Sequence, residues 1–360
     1  MTLNLLRIVG ARPQFMQAKP LSQEFKKRGH KEILLHTGQH YDDRMSQQFF
    51  RELNLNKADI NLDVGSGYHG EQTALMLQGI EKHLLDHKYD AVVVDGDTNS
   101  TLAGALAASK LHIPVVHVEA GMRSFDKKMP EEINRILTDH VSKLLFCPSV
   151  VSKNNLAKES ITKGVHISGD LLAQCFYEFR DQALTKTENN LQEYGLKKEQ
   201  YILLTLHRAE NVDNPKILQD YLRAIATSPW PVLFPVHPRT YKNIVEFNLE
   251  DIIQQKPFKL ISPIGYLDML ALESSALKIL TDSGGVQREA YHWQKQGVIL
   301  RDTTEWIEII DSKWASFYLP TDDPSKLWQI SDTSLLSEQK FYGSTDVAQK
   351  IVDIMEKTLL

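Results

Sequence analysis

The chain has 360 residues, of which 42% are hydrophobic and 24% charged, with a formal charge of −5. That length suits two domains, and that composition suits a soluble globular protein. Mild acidity without a basic run disfavours nucleic acid as a partner, and no apolar run approaches the ~20 residues of a membrane span.

LNLLRIVG opens on a strand rather than a signal-peptide pattern, and Leu5 to Val9 are its core. GARPQF follows, with Arg12 in a loop where a phosphate could meet backbone and guanidinium; capping of a neighbouring helix fits Arg12 equally. The helical MQAKPLSQEFKKRG leads to a strand, KEILLHTG, that runs out at Gln39 and His40. Residues 43–57 read as helix, and 70–88 as a long amphipathic helix with Thr73, Leu77, Ile80 and Leu84 inward.

Next come an apolar strand, YDAVVVDGD, a small-residue helix, TLAGALAASKL, and a second apolar strand, IPVVHVEAG. This is the pattern of a right-handed parallel crossover unit, whose two strands end on one sheet edge. Ligands of open α/β sheets bind outside that edge. Asp97, just past the first strand, and Glu119, at the end of the second, therefore address one crevice. Glu131 and Glu132 open the following helix, where the helix dipole accounts well for Glu132 and partly for Glu131. HVSKLLFCPS and GVHISGDLL add strands around the helix VSKNNLAKES. Cys147 and Cys175 have no metal-type spacing and read as reduced, buried thiols of a cytoplasmic protein.

A charged and polar stretch over 176–200 marks the domain boundary, giving domains at 1–175 and 176–343 and a terminal amphipathic helix at 344–360. In the second half, strands end at His207, at His237 and at Arg301, with KLISPIGY and ALKILTDSGG between the last two. Alternation of strand and helix predicts an α/β chain with a parallel sheet in each half. Asp282-Ser283-Gly284-Gly285 follows a strand and opens a helix, so its amides and the helix dipole offer a phosphate seat. Glu289, further along that helix, suits a ribose hydroxyl or plain solvent; Arg301 suits the phosphate or an i, i+4 pair with Glu305. His207, at a strand end, would face the cleft that also holds Asp97 and Glu119. Acids on one side and a phosphate seat with cations on the other suit a nucleotide-linked substrate. No metal-binding motif is apparent, so side-chain cations and a helix terminus must neutralise the phosphates.

The stretches GARPQF (10–15), HTGQHYD (36–42), DGDTNSTLAGALAA (95–108), HVEAGMRS (117–124), PEEINR (130–135), LHRAEN (206–211), PVHPRT (235–240), LTDSGGVQREA (280–290) and RDTTEW (301–306) span nearly the whole chain. Together they resemble the non-hydrolysing UDP-N-acetylglucosamine 2-epimerase family. The resemblance implies two Rossmann-like domains facing a cleft (glycosyltransferase-B-like), the terminal helix packed on the first domain, and a cytoplasmic homodimer. It implies a UDP-sugar as substrate, no cofactor, and inversion at C2 by loss and re-addition of UDP through a 2-acetamidoglucal. By that resemblance Asp97, Glu119, Glu131 and His207 are catalytic, and Arg12, Ser283, Gly284, Gly285, Glu289 and Arg301 hold UDP. Met269 stands where the family has an aromatic residue near the uracil, and Gln17 where it has a lysine. Details such as PIGYLDM look closer to a branch acting on UDP-2,3-diacetamido-2,3-dideoxyglucuronate, in which Arg123, Lys127 or Lys128 would meet the sugar carboxylate. Either product would feed capsule or lipopolysaccharide synthesis. A glycosyltransferase of the same architecture and a hydrolysing epimerase are the rival readings.

Many family members bind a second UDP-sugar as activator. Gln39, His40 and His237 match that site, but Asp42 and Glu71 replace a glutamine and an arginine. A carboxylate in place of a cation repels phosphate. Activation is therefore expected to be weak or absent: the pure manno epimer should react without a lag, and a need for traces of UDP-N-acetylglucosamine would contradict this.

Overall fold

The largely apolar strands AVVVD and VVHV are buried throughout, as strands inside a parallel sheet are, with Asp95 and His117 as their polar members. A computed structural model describes residues 1–38, 54, 57–330, 341–343 and 345–360, apart from the side chain of Arg12. Gln39, His40, Asp42 and most of the helix expected over 43–57 lie outside the described residues.

The chain divides into two units, Met1–Glu178 with Lys340–Leu360, and Phe179–Gln339. The strands of the first are β1 (Asn4–Val9), β2 (Lys31–His36), β3 (Ile60–Asn61), β4 (Ala91–Asp95), β5 (Val115–Val118), β6 (Leu144–Cys147) and β7 (Val165–Ile167). They form a parallel seven-stranded sheet in the order β3-β2-β1-β4-β5-β6-β7. The second unit has β8 (Ile202–Thr205), β9 (Val232–Pro235), β10 (Phe258–Ile261), β11 (Lys278–Thr281), β12 (Gly297–Ile299) and β13 (Ala315–Phe317). Its parallel six-stranded sheet runs β10-β9-β8-β11-β12-β13. The expected α/β class with a parallel sheet in each half is borne out. Strand order reverses between β1 and β4 in the first sheet and between β8 and β11 in the second, the positions where open sheets take ligands.

Three local expectations change. Arg12 begins the helix Arg12–Lys27 instead of lying in a loop. Pro13 sits in that first turn, and the Gln14 side chain accepts from the Gly10 and Ala11 amides at 2.7 and 3.0 Å, so the helix starts earlier than apolar periodicity suggests. In the helix His69–Asp86 the buried stripe is Gln72, Met76, Ile80 and Leu84, with Thr73 and Leu77 only partly covered. Gln72 tolerates burial because its amide donates to Gly65 O and accepts from Asn99 Nδ2. The strands β3 and β13 were not anticipated, being two and three residues long, too short to show a period.

In the first unit the terminal helix Val347–Leu359 buries Val347, Ile351, Val352 and Met355 in a cluster with Leu3, Leu5, Leu21 and Phe25. No described helix is long and apolar enough to cross a membrane. Cys147 and Cys175 are buried and free, and burial pushes the Cys147 thiol up to about 12, which removes its nucleophilic form.

Beneath the first reversal point lies an ion pair with both side chains fully buried. Arg7 on β1 donates from Nε and Nη2 to the two carboxylate oxygens of Asp95 on β4, at 2.9 and 2.6 Å. Removing one member of such a pair leaves an uncompensated charge. Asp95→Ala should cost about 3–5 kcal/mol in urea unfolding, and Arg7→Met combined with Asp95→Leu should recover most of that loss.

Candidate active site

Each unit carries its own cluster where its strand order reverses. In the first, Gly10 follows β1 so closely against the helix Asn99–Lys110 that an added Cβ would lie 1.9 Å from Ser100 Oγ. Gln14 ties this loop to the one after β4, donating to Asp95 O at 2.7 Å and to Thr101 Oγ1 at 3.0 Å. Asp97 follows β4, and its Oδ2 accepts from Nε and Nη2 of Arg135. Asn134 Nδ2 holds the Asp97 carbonyl at 2.9 Å. Glu119 follows β5 with φ of 69°, and its carboxylate accepts from Gln17 on the helix after β1. A left-handed φ at a glutamate is a strained choice that the surrounding fold must enforce.

The adjacent acids Glu131 and Glu132 separate clearly. Glu132 is 1% exposed and accepts from the Ser124 amide and hydroxyl, the Phe125 amide and Arg135 Nη1, at 2.9 to 3.0 Å. It is structural. Glu131 is half-buried, one helical turn from Arg135 on the helix Pro130–Val141, so it lies on the side of that helix that addresses Asp97. Arg123 is not available to a substrate: it is 3% exposed and pairs with Asp139 at 2.7 Å and with Glu159 at 2.7 Å. The expected contact between Arg123 and a sugar carboxylate therefore gives way to a buried network, while Lys127 and Lys128 are exposed.

In the second unit, Asp282 follows β11 and is fully buried. Its Oδ2 accepts from the amides of His207 and Arg208, both at 2.8 Å, and from Asn211 Nδ2 at 3.1 Å; its Oδ1 lies 2.9 Å from His207 Nδ1. Burial alone would raise the Asp282 carboxyl, but the His207 ring and these amides outweigh it and hold it below the usual range. His207 is thereby oriented through Nδ1, with its side chain 38% exposed. Ser283 caps the helix Gly284–His292. Neither Gly284 nor Gly285 has a positive φ, and an added Cβ would meet Trp306 Nε1 at 3.6 Å and Ser283 Oγ at 3.7 Å, ordinary contacts. The fold itself does not require glycine at either position.

Arg301, two residues past β12, is buried and lies 3.3 Å from Glu305, the i, i+4 pair the sequence allowed. Glu289 sits half-buried beside Glu273, whose carboxyl is pushed well up by burial and by Glu289 itself. Met269 packs at the edge of the cluster that contains Val286 and Ala290. His237 caps the helix Pro238–Glu246, with Nδ1 accepting from the Arg239 amide, and its ring lies 5.9 Å from that of His207.

A family model described as UDP-N-acetylglucosamine 2-epimerase matches residues 23–356. The chain belongs to that family. It is 46% identical over 356 residues to a UDP-N-acetylglucosamine 2-epimerase homolog of Methanococcus maripaludis, covering 98% of this chain and 99% of the other. It is 45% identical over 317 residues to the UDP-2,3-diacetamido-2,3-dideoxy-D-glucuronate 2-epimerase of Pseudomonas aeruginosa, covering 86% of each. The crystal structure of Methanocaldococcus jannaschii UDP-GlcNAc 2-epimerase in complex with UDP-GlcNAc and UDP matches the fold with a TM-score of 0.90 at 41% identity, covering 99% of this chain and 100% of that one. The family resemblance and the glycosyltransferase-B-like class are thus borne out, and the chain is an isomerase of the UDP-N-acetylglucosamine 2-epimerase family.

Sequence reasoning did not single out Arg135, and it placed Glu132 at a helix dipole and Asp282 in the phosphate-seat turn without the partners that each one holds. Arg135 was visible within PEEINR, one turn after two acids, and Asp282 heads the DSGG turn, but neither spacing names the partner across the sheet. Glu132→Ala is expected to cost about 3–5 kcal/mol in urea unfolding, since it leaves Arg135 Nη1, the Ser124 hydroxyl and two amides without their acceptor. Glu131→Ala should stay within about 0.5 kcal/mol of the parent protein.

Proposed function

We propose that the chain inverts carbon 2 of a UDP-linked 2-acetamido sugar, interconverting UDP-N-acetylglucosamine and its manno epimer. The observation that carries this reading is the carboxylate set Asp97, Glu119 and Glu131 around the first unit's reversal point, in a chain of this family. A carboxylate takes the C2 proton while the C1–O bond to UDP breaks, and the C2–H electron pair becomes the C1–C2 double bond. The products of this half-reaction are 2-acetamidoglucal and UDP. UDP then adds back at C1 while a second acid delivers a proton to the other face of C2. One face needs a base and the other an acid, so a single carboxylate does not suffice.

The C2 proton is not acidic beforehand, so stabilisation of the departing diphosphate must lower much of the barrier. The Ser283 hydroxyl and the Gly284 and Gly285 amides at a helix N-terminus suit that task, with Arg12 and Arg301 as cations and His207 presented by Asp282. Glu289 is read as the ribose contact and Met269 as the uracil neighbour. Gln39, His40 and His237 are read as remnants of a second UDP-sugar site. The same reading makes the chain a cytoplasmic homodimer. Two free buried cysteines support the reducing compartment, and Leu75, Ile133 and Leu137, exposed on helices that both pack on Asn99–Lys110, support the dimer.

A second substrate, UDP-2,3-diacetamido-2,3-dideoxyglucuronate, is supported by the 45% identity to the Pseudomonas aeruginosa enzyme. Its carboxylate would have to find Lys127 or Lys128 rather than Arg123.

Incubation with each UDP-sugar in D2O, followed by proton NMR, should show the second epimer appearing with deuterium at C2. A glycosyltransferase gives no C2 deuterium, and a hydrolysing epimerase releases free sugar and UDP. Asp97→Asn should lower turnover by about 10²–10⁴-fold and spare UDP binding; unchanged turnover would remove Asp97 from the mechanism.

A further inference from the structure

His117, on β5 two residues before Glu119, is fully buried. Its Nε2 lies 2.8 Å from the carbonyl of Gly96, the residue before Asp97. Its Nδ1 lies 2.7 Å from Asp139 Oδ1 on the helix Pro130–Val141. A neutral imidazole has one donor and one acceptor nitrogen, whereas both are donors in the cation. A carbonyl oxygen accepts only, so Nε2 carries a proton. Asp139 in turn faces donors everywhere else: Gly121 N at 3.2 Å and Arg123 Nη1 at 2.7 Å. Beside that guanidinium the proton of the His117–Asp139 contact belongs on the ring. The four buried or part-buried charges then alternate in sign, His117, Asp139, Arg123, Glu159. Burial works against the charged ring, but Asp139, the Gly96 carbonyl and Asp95 together outweigh it and raise His117, while His117 and Arg123 outweigh burial at Asp139 and hold it down.

The pair touches both loops that present acids. Gly96, at φ of 61°, donates its amide to Val118 O at 3.0 Å and gives its carbonyl to His117. The Asp97 loop is therefore sewn to β5 on both sides. On the other side of β5, Glu119 and Gly121 have φ of 69° and 76°, and the Gly121 amide points at the Asp139 carboxylate. Asp139 thus supplies the acceptor that this left-handed turn needs. We infer that His117 is a permanent imidazolium and that the His117–Asp139 ion pair is the positioning device that sets Asp97 and Glu119 in register with each other. His117 touches no reacting atom; it acts through Gly96 and Asp139. The inference rests on the catalytic reading of Asp97 and Glu119.

Neutron diffraction from the wild-type protein at a pD of about 8, where an ordinary histidine is neutral, tests the charge state without any variant. Two deuterons on the His117 ring are expected; a single ring deuteron, with Asp139 protonated or not, overturns the inference. The positioning role is tested with His117→Asn, which keeps a donor for Asp139 and leaves Gly96 O unpaired. Its kcat should fall about 100-fold, the order a misplacement of about 1 Å produces, with KM and UDP affinity within about twofold. His117→Gln, whose longer amide reaches Gly96 O, should recover part of that loss. Unchanged kcat in His117→Asn, or equal falls in kcat and UDP affinity, overturns the positioning role. Absence of C2 deuterium exchange by the wild-type enzyme on every UDP-2-acetamido sugar would instead sink the underlying functional reading and leave the neutron result standing.

Discussion

Everything at the first unit's reversal point hangs on the buried pair of Arg7 and Asp95. Adjacent strands β1 and β4 diverge in direction of connection there, and the loops that leave them have no ladder to satisfy their polar groups. Asp95 meets that need twice. Its carboxylate takes the two-pronged Arg7 guanidinium, and its carbonyl takes Gln14 and Thr101. Gln14 then returns its oxygen to the Gly10 and Ala11 amides. A single buried residue thereby fixes the loop after β1 against the loop after β4, which is the frame on which Asp97 stands.

Placement of the acids was legible in sequence because strand ends are legible. AVVV before Asp95 and VV before His117 carry no polar side chain, so the acids that follow, Asp97 and Glu119, must fall just past the strand ends at the sheet edge. That logic finds Asp97 and Glu119 without any coordinates. It fails for the supports. Arg135 reaches Asp97 across 38 residues of sequence, and Asp139 meets His117 across 22. No periodicity marks such pairs, since each partner follows the pattern of its own element. Arg123 was misread for the same reason: as an isolated cation in a loop it invites a ligand, yet Asp139, on the helix Pro130–Val141, and Glu159, at the C-terminal cap of the helix Val150–Lys158, consume it. Burial of Gln72 in place of Thr73 came from its fixed amide partners, which hydrophobicity does not register.

Paired acids with different fates follow from the same accounting. Glu132 faces inward at the first turn of its helix, where four donors converge, so ionisation there is already spent on holding the 124–125 turn and Arg135. Glu131, one residue earlier, is rotated by about a hundred degrees around the helix and escapes those donors. Helix geometry alone gives two identical side chains different surroundings, one spent as a strut and one left outside those four donors.

The two units solve one problem in one way with different outcomes. In each, the strand on the far side of the reversal point ends in a buried aspartate, Asp95 at the end of β4 and Asp282 just after β11. Both serve as acceptors for the loop or strand across the gap: Asp95 for Arg7 and Gln14, Asp282 for the His207 and Arg208 amides and Asn211. In the first unit the side chain that follows is Asp97, held by Arg135 and Asn134. In the second the residues that follow are Ser283-Gly284-Gly285, a run of amides that no internal contact demands be glycine. A carboxylate in one unit and a serine-glycine-glycine run in the other thus follow a buried aspartate at matching places in the two sheets.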